Sequence, residues 1–144
     1  MNDAQLAFLK RDFVQGFPAD CGFEVVQASL GQFESRLKIR PAHSQQDGFV
    51  HAGVIATMAD HTGGYAAYTT VNENERILTI EFKINYFKPA IGEFLVCRSK
   101  VINNGRTIKV SESEIFSVSN GQEKLVSKAL VTLIAVSADN FKTN

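Results

Sequence analysis

The chain is short of covalent and electrostatic fasteners. It has two cysteines, Cys21 and Cys97, in 144 residues, too few for the disulfide framework of a small secreted domain. At this length a domain buries about 70% of the surface its unfolded chain exposes, so no such staple is needed and both thiols are expected to be packed and unpaired. Fifteen Lys and Arg balance fifteen Asp and Glu. Without an excess of one sign there is no general field to hold nucleic acid or an anionic membrane, and any anionic ligand has to be held locally. No apolar run approaches the roughly 18 residues of a membrane span. Leu6 to Leu9 run straight into Lys10, Arg11 and Asp12, which is not the layout of a secretory leader, so a cytoplasmic protein is expected. Also missing are a G-x-S-x-G elbow, a Walker loop and any zinc spacing among His43, His51 and His61, so neither a metal nor a resident cofactor is expected.

The patterns that are present describe one domain of class α+β, residues 1–144, with a core over about 23–136 and a polar tail, 137–144, expected to fray. Leu6, Leu9 and Phe13 predict a short amphipathic helix over 3–15, capped by Asp3 and ended by Gly16 and Pro18. Segments 23–30 and 32–40 read as a hairpin hinged at Gly31, with Phe33, Leu37 and Ile39 on its dry face. From Ala52 to Thr70 the chain reads AGVIATMADHTGGYAAYTT, a long helix of small residues. Its glycines make it marginal alone, at about 1 kcal/mol each in a helix interior. It must be held by neighbours on most sides, and its small side chains let a curved sheet approach closely.

Four strands follow as a meander, 76–88, 93–103, 106–119 and 122–136. Asn104-Gly105 and Asn120-Gly121 are the dipeptides of two-residue hairpin turns. In the first of these strands Leu78, Ile80, Phe82, Ile84 and Tyr86 alternate with Thr79, Glu81, Lys83 and Asn85, and only the first set is expected in the core.

The segment GFVHAGVIATMAD, 48–60, resembles the hotdog-fold acyl-CoA thioesterases, in particular the phenylacetate-pathway (PaaI-type) branch of the 4-hydroxybenzoyl-CoA thioesterase superfamily. Those proteins carry G-x-x-H-G-G at the start of the central helix and an acid nine residues after the His, the spacing of His51 and Asp60. The resemblance continues through TIEFKINYFKPAIGE, 79–93, and NNGRT, 103–107. It implies a hotdog fold, a long central helix wrapped by about six antiparallel strands with a short N-terminal helix, and hydrolysis of an acyl-coenzyme A thioester, with coenzyme A as part of the substrate. Asp60 is then the general base or nucleophile, Gln45 orients carbonyl or water, Thr79 holds water, and backbone N–H groups near Ala52 and Gly53, at the helix start beside His51, meet the oxyanion. Ala52 stands where relatives have the first glycine, and Gly64 where some have Ser or Thr.

Each residue also has a plainer reading. Asp60 suits a cap or ion pair, His51 a tie to the preceding loop, Gln45 and Arg106 solvated loop positions, and Thr79 an exposed strand. Arg106, Lys109 and Lys88 are candidates for the phosphates of coenzyme A, and Met58, Tyr65 and Phe82 for an acyl slot. If the helix runs from His51, nine residues to Asp60 rise about 13.5 Å and turn about 180°. One helix cannot easily aim both ends at one carbonyl, so a shared site in a dimer, or a dimer of dimers, is expected. The rival from another class is a non-catalytic acyl-CoA-binding module.

Overall fold

The computed structural model describes residues 1–142. Helix α1, Asp3–Phe13, is capped by Asn2, whose side chain accepts the Gln5 N–H, and Asp3 lies inside the first turn. Gly16 and Pro18 do not simply end it. They begin a second helix, α2, Gly16–Cys21, which the sequence reading did not contain. Proline is tolerated there because N–H groups of a first turn have no intrahelical partner.

Strands β1, Phe23–Ser29, and β2, Gln32–Lys38, form the expected hairpin, and Gly31 takes φ +75° at its turn. Helix α3, Ala52–Tyr68, precedes β3, Glu75–Tyr86, β4, Phe94–Asn104, β5, Ile108–Ser119, and β6, Gln122–Ser137. The tail forms a 3-10 turn over Ala138–Phe141 instead of fraying at once, and residues 143–144 lie outside the described residues.

The six antiparallel strands lie in the order β1-β2-β4-β5-β6-β3. The expected four-strand meander therefore holds only for β4-β5-β6. β3 crosses to the far edge and pairs with β6. Residues 87–93, between β3 and β4, carry no two-residue turn signal, and this crossover lets one sheet curve around α3. At the β5–β6 turn Asn120 and Gly121 take φ +53° and +75°, as a two-residue turn requires. Asn104-Gly105 behaves differently. Pairing resumes only at Asn104↔Lys109, leaving the loop 105–108, and Gly105 is needed because a Cβ there would lie 2.3 Å from the Ile108 carbonyl oxygen.

Helix and sheet meet through small side chains and hydroxyls. Ser111 and Ser113 donate to the carbonyls of Gly63 and Ala59, both at 2.8 Å, and Ser35 and Thr62 share a hydrogen bond of 2.7 Å. A Cβ on Gly63 would approach Ser113 Oγ to 3.0 Å. The glycine that weakens the isolated helix is thus the one that admits the sheet. Cys97 lies buried in this layer, and burial pushes its thiol pKa up to about 11. Both cysteines are free thiols.

The expected core face of β3 is corrected by a bulge between Thr79 and Glu81. Before it, Ile77 and Thr79 pair with Ala135 and Leu133 on the helix side. After it, Phe82, Ile84 and Tyr86 pair with Val131, Ala129 and Ser127 on that same side. Leu78, opposite Ile134, points the other way, and Ile80 is the bulged residue. One extra residue reverses the alternation. It also turns Thr79 from the expected outer face to the helix side.

Candidate active site

Helix α3 begins where the loop before it is tied down on both sides. The Val50 N–H donates to the Ala90 carbonyl and the His51 N–H to the His43 carbonyl, at 2.9 and 2.8 Å. His51 is the N-cap, and its Nδ1 accepts the Gly53 N–H at 2.8 Å. This corrects the expectation of two oxyanion donors, because the Gly53 N–H is already taken. The Ala52 N–H finds no protein acceptor among the described residues. It stands at the positive end of the helix dipole. Ala52 lines a pocket of about 490 Å³ with Gln45, Phe49, His51, Ile55, Tyr86, Phe87 and Lys88 among its walls.

Tyr86 closes the turn from the far side, its hydroxyl donating to the Ala52 carbonyl at 2.9 Å. Desolvation raises its phenol pKa, which keeps it a donor. Gln45 is partly spent on its own loop. Its side-chain carbonyl accepts the N–H groups of Asp47 and Phe49, so only its amide end is left for a ligand.

Asp60 lies in the middle of α3, half-buried, and its Oδ1 accepts the Thr79 hydroxyl at 2.7 Å. It is not a cap. Among the described residues no Lys, Arg or His forms an ion pair with it. The two plainer readings of Asp60 thereby lose their partners. Neither Asp60 nor Thr79 belongs to the wall of the pocket at the helix start, so one chain does not bring the amide and the carboxylate into one cavity.

Other expected site residues disperse. Met58 is core, and Tyr65 is buried against Phe13, Phe33 and His61 with its hydroxyl donating to Asp12 Oδ2 at 2.6 Å. Neither lines the slot, whereas Phe82 stays exposed on β3. The pocket's aromatic wall of Phe49, Tyr86 and Phe87 was missed by the sequence reading, although these residues flank His51 and Pro89 in the two motif segments. Lys88 is at that pocket, but Arg106 and Lys109 are at the opposite end of the sheet, where Ile108 pairs with Ile134 and Ile134 with Leu78. From Leu78 to Tyr86 the strand spans on the order of 25 Å. Lys109 is buried and its Nζ donates to Asn104 Oδ1 and the Gly105 carbonyl, at 2.6 and 2.9 Å, so it is not free to meet a phosphate.

The histidines are each engaged locally: His43 with the Arg40 N–H and Cys21 carbonyl, His51 with Gly53, and His61 with the Phe13 carbonyl. Burial lowers the His61 pKa, with the Phe13 hydrogen bond opposing it. Among the described residues no three His, Cys, Asp or Glu side chains gather as a metal site, and no helix is long and apolar enough to cross a membrane.

Comparison with known proteins agrees with this architecture. The solved structure of a thioesterase family protein from Silicibacter pomeroyi superposes with a TM-score of 0.88 at 33% identity, covering 92% of this chain and 98% of that one. A Saccharolobus solfataricus protein named as a candidate esterase is 32% identical over 74% of each chain. Human acyl-coenzyme A thioesterase 13 is 24% identical over 68% of this chain and 70% of its own length. The sequence model of the Thioesterase superfamily matches residues 47–124, which run from the loop before α3 into β6, and the chain, with its hotdog fold, belongs to that superfamily.

Proposed function

We propose that the protein is an acyl-CoA thioesterase of the phenylacetate-pathway (PaaI-type) branch, hydrolysing an acyl- or aryl-coenzyme A to the free acid and coenzyme A at a site shared by two subunits. The observation that carries this reading is Asp60, a carboxylate with no cation partner among the described residues, held by Thr79 on the edge strand β3. A merely structural acid in so apolar a helix would be expensive. Thr79 donates to one carboxylate oxygen and leaves the other to take a proton from water, or to attack the thioester carbon. The Ala52 N–H and the helix dipole stabilise the oxyanion, and the coenzyme A thiolate leaves.

The edge strand β3 supports the shared site. Its outer flank has no strand partner, and Leu78, Ile80, Phe82 and Tyr86 are exposed along it. Such an edge invites pairing. A two-fold related β3 running antiparallel would place the Tyr86 end of one subunit beside the Glu75 end of the other. Lys88 of one chain and Arg106 of the partner subunit then flank one coenzyme A, which a single chain does not permit. The 24% identical human relative, named an acyl-coenzyme A thioesterase, adds support for the carrier.

The test is thiol release from aromatic, medium-chain and long-chain coenzyme A esters and an acyl-carrier-protein thioester, with wild-type protein and Asp60→Asn. Turnover of the best ester should fall at least about 10²-fold in the variant, the usual scale for a positioned base, while an unreactive coenzyme A thioether still binds. Wild-type turnover by Asp60→Asn would remove Asp60 from the bond-breaking step, and binding of the thioether without turnover of any ester by the wild-type protein would return it to the class of acyl-CoA-binding modules.

A further inference from the structure

Lys109 is 4% exposed, and among the described residues it has no carboxylate partner. Its ammonium donates only to the neutral oxygens of Asn104 and Gly105. A buried charge with neutral partners costs stability, and an apolar side chain of similar volume would serve the core better. The position therefore calls for a reason outside core packing.

The loop it touches supplies one. Lys109 grips the loop at Asn104 and Gly105, where Gly105 packs against the Ile108 carbonyl too closely for any Cβ. On the other side the Thr107 carbonyl accepts the Ala135 N–H at 2.8 Å. Arg106 sits between these two fastenings, exposed and without an ion-pair partner among the described residues. A loop pinned on both sides of one arginine loses little conformational freedom when that arginine takes up a ligand.

We propose that Lys109 is a positioning residue for the nucleotide end of coenzyme A, acting by holding the 105–108 loop so that the Arg106 guanidinium is preorganised for phosphate. The inference rests on the acyl-CoA reading above. It replaces direct phosphate contact by Lys109 with action through the backbone. It also assigns to this loop the discrimination between coenzyme A esters and thioesters that lack the nucleotide.

Lys109→Met keeps the volume and removes the grip. KM for an acyl-CoA should rise about tenfold, while KM for the matching acyl-pantetheine, which has no nucleotide, stays at its wild-type value. Arg106→Ala should show the same split, and the double variant should be no worse than the worse single one, since both act through one contact. Asn104→Ala removes one anchor from the exposed side and should give a smaller rise with the same selectivity, which keeps the test open if Lys109→Met does not fold. An unchanged acyl-CoA KM in whichever of these variants folds, equal rises for both substrates, or additive effects with Arg106→Ala would overturn the proposal. If the wild-type protein turns over neither thioester, the thioesterase reading falls and this inference with it, a result separate from normal turnover with an indifferent Lys109.

Discussion

β5 and β3 are each twelve residues long and lie two places apart in one sheet, with β6 between them. β5 turns serines inward, and Ser111, Ser113 and Ser117 are 0%, 0% and 6% exposed. β3 is richer in large apolar residues, yet Leu78, Ile80, Phe82 and Tyr86 are 46%, 54%, 40% and 45% exposed. Position relative to α3, and not hydropathy, divides the two. Under the glycine-bearing face of the helix only small side chains fit, and their hydroxyls are satisfied by helix carbonyls. At the edge there is no further strand to pack against, so the apolar residues stay exposed.

A charge on the edge is the strongest way to break this contrast. Ile80→Lys should shift sedimentation to the monomer and lower thioester turnover on the order of 10²-fold, the scale of separating a base from its oxyanion donor. A fully active monomer would mean that β3 is exposed for some other reason. On β5, Ser113→Val should leave sedimentation unchanged and cost about 2 kcal/mol in urea unfolding. The added methyl meets Gly63, and Ser99 loses the hydroxyl it bonds at 2.6 Å. No loss of stability would show that the helix can move away from the sheet.

The smallest effect reads the dryness of the same layer through Cys97. Burial keeps its thiol protonated in the folded state up to about pH 11, against an ordinary value of 9.0. The unfolded chain releases that proton earlier, so this contribution is fully present below pH 9 and is lost as pH rises from 9 to 11. Wild-type protein should therefore lose about 1.4 kcal/mol more stability than Cys97→Ala between pH 8 and pH 10. Parallel pH profiles would place water beside the thiol.

Much of this layout was legible in the chain. The small residues of 52–70 already required a close sheet, Asn120-Gly121 marked its turn, and Asp60 was conspicuous among Ala56, Met58, Ala59 and Gly63. The bulge at Ile80 was not legible, because a strict alternation in sequence carries no sign of the one residue that leaves the ladder. That error also hid the contact of Thr79 with Asp60. The loss of the Gly53 N–H to His51 was hidden for a related reason: which donor a cap uses depends on ring orientation. Lys109 looked like its neighbour Arg106, and only the inward pleat of β5 separates a buried staple from an exposed cation.

The sequence by itself determined the types of the long elements, though not the short helix α2, the need for a helix enclosed by a sheet, and the separation of His51 from Asp60, since these follow from local periodicity and helix geometry. Only the tertiary structure decided which strand became the edge, which side of β3 faces the helix, and which N–H at the helix start is left for a ligand. The first two outcomes depend on contacts between residues far apart in the chain, and the third on the orientation of the His51 ring, which takes the N–H of Gly53 two residues on. Nothing in the local spacing distinguishes an apolar strand that is covered by its own fold from one that is left bare at the edge.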